Sequence, residues 1–254
     1  MPPAYSPEAF SFTIELMSHS LVFLLDVDNT LLDNDRFRRD LDSRLLRAFG
    51  EIERGRYWKL FEELRKQLSY ADYLGALQKL RFGLEDSFEL LQMSSFLLDY
   101  PFDERAYPRA LEAVAHLDTL GLTVILSDGD MVFQPRKIQR SGIWAAVGGR
   151  VVIDVHKETA LDSMQQRYPA GHYVMIDDKP TILAAIKRAL KTKVTTVFVH
   201  QGHYADDPDN EALEPKPDMS VMRIADLLGL GLTDFLASSP MGAASASPPA
   251  ATHG

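Results

Sequence analysis

No cysteine occurs anywhere in the chain, which excludes disulfides, thiolate nucleophiles and zinc–thiolate centres. No apolar run approaches the ~20 residues that a membrane-spanning helix needs. The opening stretch, MPPAYSPEAFSFTIELMSHS, lacks the basic region and apolar core of a secretory signal. Positive charge is in deficit too: 27 Lys and Arg stand against 36 Asp and Glu, a balance of −9. That argues against the basic footprint of a nucleic-acid-binding protein, although a local basic pocket for a small anion stays compatible with it. A cytoplasmic enzyme is the expectation these absences leave, with neither nucleic acid nor membrane among its partners and its oligomeric state open.

What the chain does have is ordinary bulk. Its 254 residues are 46% hydrophobic and 25% charged, enough for one large domain or a domain with an insertion. The most telling run is LVFLLDVDNTLLD, residues 21–33. A short apolar stretch bounded by polar turn residues reads as a buried strand, so Asp26 and Asp28 should sit at its carboxyl end. In open α/β sheets that edge is where ligands bind. One acid there can act as nucleophile and its neighbour as acid or base. In isolation Asp-x-Asp-Asn-Thr reads equally well as a polar turn.

From Asp35 to about Asp99 the apolar spacing turns helical: Leu41, Leu45, Leu46 and Phe49, then Leu60, Phe61, Leu64 and Leu68, then Leu74, Leu77 and Leu80, then Phe88, Leu91, Phe96 and Leu97. Pro101 and Pro108 punctuate the end of this block. Strand and helix alternate beyond it. A helix is expected from about Glu104 to Leu120, burying Leu111, Val114, Ala115 and Leu117 and ended by Gly121. Strands are expected at Leu122–Leu126, Arg150–Ile153, Tyr173–Ile176 and Val194–Val199. Helices are expected near Pro135–Arg140, at Glu158–Arg167, from Pro180 (burying Ile182, Leu183, Ile186 and Leu190) and near Ser220–Leu228. The fold class is therefore α/β: a Rossmann-like parallel sheet, residues 21–34 and 101–236, with an inserted all-α cap at 35–100. Residues 1–20 read as an N-terminal extension, with Met17 an alternative start, and the small polar tail 237–254 is expected to be disordered. No internal repeat is present.

Four strand ends deliver polar groups to one edge of this sheet: Asp26 and Asp28, Ser127, Lys157, and Asp177 with Asp178. Two unit charges ~4 Å apart interact by about 4 kcal/mol at an effective dielectric of 20, and Lys157 offsets only one of four acids. A divalent cation resolves the repulsion, and all-oxygen ligands point to Mg2+. The Ser127 hydroxyl and the Lys157 ammonium can hold phosphate oxygens. The ensemble describes phosphoryl transfer to a carboxylate.

With these four motifs in order, the chain resembles the haloacid dehalogenase-like superfamily over roughly residues 20–230. Asp26-Val27-Asp28-Asn29-Thr30 matches the first motif, Ser127 the second, Lys157 the third and Asp177-Asp178 the fourth, with the helical block where this superfamily often carries a cap. The resemblance implies that Asp26 is the nucleophile and Asp28 the acid and then the base. It also implies that Asp26, the backbone carbonyl of Asp28 and Asp177 bind magnesium, with Asp178 acting directly or through water. Thr30, Ser127, Asp128, Gly129 and Lys157 would surround the phosphate. A carboxylate at position 28 separates phosphatase members from dehalogenase members. The implied activity is hydrolysis of a small phosphorylated metabolite, with a phosphomutase, a haloacid dehalogenase or a non-enzymatic phosphate-binding member as alternatives. Two departures stand out: Asp128 where relatives more often carry Asn or Gly, and Glu158 after Lys157 instead of proline.

Plainer readings stand beside these. Ser127-Asp128-Gly129-Asp130 could be a turn, Lys157 a surface lysine, and Asp177-Asp178 a helix cap. Arg36, Arg38 and Arg39, like Gln134, Arg136 and Lys137, read as solvated helix faces, with contact to a substrate anion as the alternative. His156, His172, His200 and His203 read as surface or packing residues, with His203 and Tyr204 able to approach the site. A phospho-receiver domain uses similar groups, but its acid pair comes first and its lysine last, and it has no helical insertion.

Overall fold

The computed structural model describes residues 19–84, 87–155, 157 and 160–237. Met17 and most of the expected N-terminal extension lie outside these residues, as do His156, Glu158 and the tail beyond Ala237. Six parallel strands form one sheet: β1 (His19–Leu25), β2 (Leu122–Asp128), β3 (Val151–Asp154), β4 (Ala170–Asp177), β5 (Val194–Val199) and β6 (Met219–Val221). Their spatial order is β3-β2-β1-β4-β5-β6. Central β1 pairs with Leu122–Ile125 on one side and with Ala170–Ile176 on the other.

The unbroken apolar run of β1 has a geometric cause. Leu21, Phe23 and Leu25 enter one core with Ile125, Val174 and Ile176, while Val22 and Leu24 enter a second with Val124, Leu126, Tyr173 and Met175. Alternate side chains point to opposite faces, and both faces are covered, so neither can be polar. The first face is covered by α4 (Ala110–Leu120), α5 (Phe133–Arg140), α6 (Ile143–Ala146) and α9 (Leu232–Leu236), the second by α7 (Leu161–Arg167) and α8 (Pro180–Leu190).

Between β1 and β2 the chain forms α1 (Asn34–Leu68), α2 (Tyr73–Leu80) and α3 (Phe88–Asp99). Gly50, at φ 79° and ψ 178°, breaks α1 into two arms. The arms run antiparallel, since Trp58 Nε1 donates to Asp42 Oδ1 at 2.7 Å and Arg54 Nη1 to Asp42 Oδ2 at 3.3 Å. An aromatic junction fuses the insertion to the sheet layer. The Phe37 ring lies 5.1 Å from Tyr73, 4.9 Å from Tyr100, 5.3 Å from Phe102 and 5.6 Å from Phe133. One continuous apolar cluster therefore runs from β1 into the insertion.

Several local expectations are corrected. The helix expected from Glu104 starts only at Ala110: Phe102–Arg105 is a 3-10 turn, and Pro108 is followed by Arg109 at φ 64°. Its buried stripe is Ala110, Ala113, Val114 and Leu117, leaving Leu111 and Ala115 exposed. Ser220 lies in β6, and a 3-10 turn spans Ile224–Gly229. In α3, Phe88 and Leu91 are 65% and 68% exposed, while Met93 and Leu97 are buried.

Short β6 is anchored by a side chain. Asp218 Oδ2 accepts from Lys187 Nζ at 2.7 Å, Thr196 N at 2.8 Å and Thr196 Oγ1 at 2.9 Å. Burial alone would raise this carboxyl, but those donors outweigh it and hold it below its usual 3.8. Asp218→Ala should cost roughly 1–3 kcal/mol, because charge-assisted bonds are lost and Thr196 N loses its acceptor. A depressed folded value means that the contribution is complete above the unfolded value and disappears as pH falls through the folded one. The gap in urea midpoint between wild type and variant should thus be full at neutral pH and narrow below about pH 3.8. A gap that did not change with pH would refute the ion-pair account.

Candidate active site

Asp26 follows the last residue of β1 and is 2% exposed. The loop after it folds back at once, with Leu31 N and Leu32 N both donating to Val27 O at 2.9 Å. This return places Thr30 Oγ1 3.0 Å from Asp26 Oδ2 as a donor. Asn29 takes φ 61°, a conformation Asn tolerates, and its Oδ1 accepts from Asp35 N at 3.1 Å in the first turn of α1. Gly202, at φ 69°, packs so closely on this loop that a Cβ there would lie 2.5 Å from Asn29 Cβ.

Lys157, from the segment after β3, is fully buried and donates to Asp26 Oδ1 and, at 2.7 Å, to Asp177 Oδ2. Its own backbone N–H donates to Asp128 Oδ1 at 3.1 Å, so the end of β2 fixes the segment that carries the ammonium. Asp177 closes β4, and its Oδ1 accepts from Lys179 N at 2.9 Å. Carboxylate oxygens of Asp26, Asp177 and Asp178 all lie within 4.8 Å of one another. Both oxygens of Asp178 are buried with no hydrogen-bond partner among the described residues.

These charges are strongly coupled. Burial pushes Asp26 up, but Lys157 and Lys179 more than compensate, so its carboxyl stays below the ordinary range. Burial raises Asp177, and raises Asp178 well above the ordinary range with help from Asp177 and Asp26. Desolvation would lower Lys157, yet Asp177, Asp26 and Asp128 hold it far above its usual value. A buried polar atom without a partner is costly. The donor set, three buried carboxylates of which Asp178 has both oxygens partnerless among the described residues, suits a hard divalent cation.

Ser127 is buried and its Oγ accepts from Gln134 Nε2 at 2.9 Å. Gly129 N donates to Asp154 O at 3.2 Å, which ties the loop after β2 to β3. Asp128 is raised, chiefly by burial, and lines the cleft. The Asp28 side chain has partners other than those of the acid cluster. Lys137 Nζ donates to its two oxygens at 2.7 and 2.9 Å, and Gln134 Nε2 reaches it at 3.3 Å. Lys137 is 1% exposed. Its ammonium lies 5.5 Å from the Phe133 ring centroid, 5.8 Å from Phe102 and 6.0 Å from Phe37, and it also donates to Asn34 Oδ1 at 3.2 Å.

The structure thus gathers Asp26, Thr30, Lys157, Asp177 and Asp178 into one contact network, with Ser127, Asp128 and Gly129 on the adjoining strand end. Lys137 and Gln134, read from the sequence as a solvated face, are buried partners of Asp28, whereas Arg136 does face solvent and pairs with Asp99 at 2.9 Å. A sequence signal existed: Phe133, Gln134, Lys137 and Ile138 share the one buried stripe of α5. His203 borders the cleft and pairs with Asp35 at 2.8 Å, while His172 bonds Thr195 within the core. Above the network lies a cleft of about 530 Å³ between the sheet edge (Asp28, Asp128, Lys179) and the insertion (Arg38, Phe61, Tyr73). No helix among the described residues is long and apolar enough to cross a membrane.

No protein-family model matches the chain, and neither does any curated protein sequence. Solved structures do. A haloacid dehalogenase-like hydrolase from Burkholderia xenovorans is 56% identical over 84% of this chain and 96% of its own, with a TM-score of 0.79. The HAD-hydrolase YfnB from Bacillus subtilis, bound to magnesium, shares the fold at 13% identity and a TM-score of 0.56, over 84% of this chain and 98% of its own. L-2-haloacid dehalogenase from Xanthobacter autotrophicus, with chloropropionic acid covalently bound, shares it at 18% identity and a TM-score of 0.50, over 82% and 97%.

Proposed function

Because the chain belongs to the haloacid dehalogenase-like hydrolases, we propose that it is a magnesium-dependent phosphatase that hydrolyses a small phosphorylated metabolite through an aspartyl-phosphate on Asp26. The observation that carries this reading is Asp178: two buried, partnerless carboxylate oxygens beside Asp26 and Asp177. Asp26, Asp177, Asp178 and the backbone carbonyl of Asp28 would hold Mg2+, which would neutralise charge on the phosphoryl oxygens.

The chain's own groups supply the rest. Asp26 Oδ attacks phosphorus and the ester P–O bond breaks. Asp28 passes a proton to the leaving alcohol oxygen, so the alcohol departs neutral. In the second half a water oxygen attacks the same phosphorus, Asp28 takes the water's proton, and the bond to Asp26 breaks. Thr30 and Lys157 keep the Asp26 carboxylate fixed between attacks. Ser127 Oγ and Lys157 Nζ are the donors for the remaining phosphoryl oxygens. Gln134 and Lys137 hold Asp28 on the sheet-edge side of the cleft. The insertion forms the outer wall, which limits water and selects the leaving group.

A phosphate-release screen over sugar phosphates, nucleotides and short phospho-acids tests the reading. Turnover should appear with magnesium and vanish with a chelator. Full activity in chelator would remove the metal from the proposal. Chloride release from 2-chloropropionate, with no ester hydrolysed, would instead make the protein a dehalogenase.

A further inference from the structure

Charge in the cleft is unbalanced in a way that the phosphoryl chemistry does not use. Its acids are accounted for: Asp28 is ion-paired with Lys137, and Asp128 accepts from the backbone of Lys157. Of the cations on its outer wall, Arg65 pairs with Glu62 at 3.3 Å, but Arg38 and Lys66 do not have an acid among the described residues. Arg38, in the first arm of α1, lines the cleft, and no carboxylate among the described residues lies within ion-pair distance of it. Its guanidinium is held over the rings of Trp58 and Phe61, 5.2 and 5.4 Å from their centroids, so two aromatic faces fix its position without satisfying its donors. Lys66, from the second arm, lines the same cleft and also lacks an acidic partner among the described residues. Arg36, Arg39, Arg54 and Arg56 on the same arms have one; Arg44, Arg47 and Lys59 have none among the described residues, but they do not line the cleft. In a chain carrying nine more acids than bases, an aromatic-seated arginine facing a cavity with its fork free is a waiting anion site.

We propose that the substrate's leaving group carries a second anion, a carboxylate or a further phosphate, and that Arg38 receives it at the outer wall while the phosphoryl group lies at the sheet edge. Lys66 adds charge at the mouth of the same wall. The proposal rests on the phosphatase reading, since it assigns the two ends of one phosphorylated molecule. Arg38 is then a specificity-determining residue that does not touch the reacting atoms.

The test uses phosphate monoesters in matched sets, with the phosphate on a chain of two to six carbons that ends in a carboxylate, a second phosphate or a neutral hydroxyl. Wild-type kcat/KM with magnesium should favour an anionic end over the hydroxyl by roughly 10- to 100-fold at the best chain length, the size of a charge-assisted hydrogen bond. The carboxylate and bisphosphate arms tell which anion is taken. Arg38→Met and Arg38→Gln should both bring the ratio close to one, chiefly through KM. Calorimetric binding of the same esters to Asp26→Asn protein should show the same ratio without turnover. A ratio near one in the wild type, or one that both variants preserve, overturns the anion site while the phosphatase reading stands. If no ester is bound or hydrolysed, the phosphatase reading itself has failed.

Discussion

Asp26→Asn should lower phosphate release by about 10⁴-fold or more, the scale on which removing a covalent nucleophile acts. The substitution is isosteric, and its structural cost should be small. Thr30 Oγ1, 3.0 Å away, can still donate to the side-chain carbonyl, and Lys157 keeps its 2.7 Å pair with Asp177. Secondary structure and a cooperative unfolding transition should therefore survive. No acid-stable phosphorylated protein should be trapped in the variant, whereas brief incubation of the wild type with substrate should yield an acyl-phosphate that hydroxylamine cleaves. Full turnover in Asp26→Asn would assign the attack to another group.

Lys157→Met should destabilise the chelator-treated protein by roughly 3–5 kcal/mol, the cost of leaving buried charge without its partner. Three acids converge on a fully buried pocket whose charge balance depends on this ammonium. The lysine's folded value is raised far above its usual 10.5. Its contribution is therefore complete below that usual value and is lost only as pH rises through the folded one. At neutral pH the whole effect is available to measure. Urea unfolding in chelator reads it directly, and adding magnesium should narrow the difference. The double variant Lys157→Met/Asp177→Asn should recover part of the loss, because one uncompensated carboxylate goes with the cation. A cost under about 1 kcal/mol would show that solvent already screens the cluster.

The parts of the molecule legible from sequence were those in which a local pattern and a long-range role coincide. LVFLL followed by two acids reads as a buried strand with its carboxyl end at a ligand edge once the later motifs are set beside it, and β1 takes that place at the centre of the sheet. The same logic located Ser127, Lys157 and Asp177, each after an apolar run. Local pattern failed where tertiary contacts decide. Helical spacing continues on both sides of Gly50, so nothing marked the reversal between the arms of α1. Phe88, Leu91 and Leu97 fit a helical stripe, yet of these α3 buries only Leu97, together with Met93. Three-residue β6 is too short for periodicity to register, and pairing with β5 creates it. Lys137 is drawn inside by Asp28, 109 positions earlier, and by rings from three separate segments.

The cluster of rings around Phe37 also constrains how the molecule can move. Tyr73 and Phe37 come from the insertion, Phe133 from a helix on the sheet, and Phe102 from the connection between them. A lid swinging as a rigid body about this junction would have to pull those faces apart and hydrate them. The insertion residues that line the cleft, Arg38, Phe61 and Tyr73 among them, sit on this same root rather than on the distal ends of the arms near Gly50. The root stays clamped, and with it Asn34 and the lysine that holds Asp28. The wall that faces the substrate is thus held in register with the proton donor by the same rings.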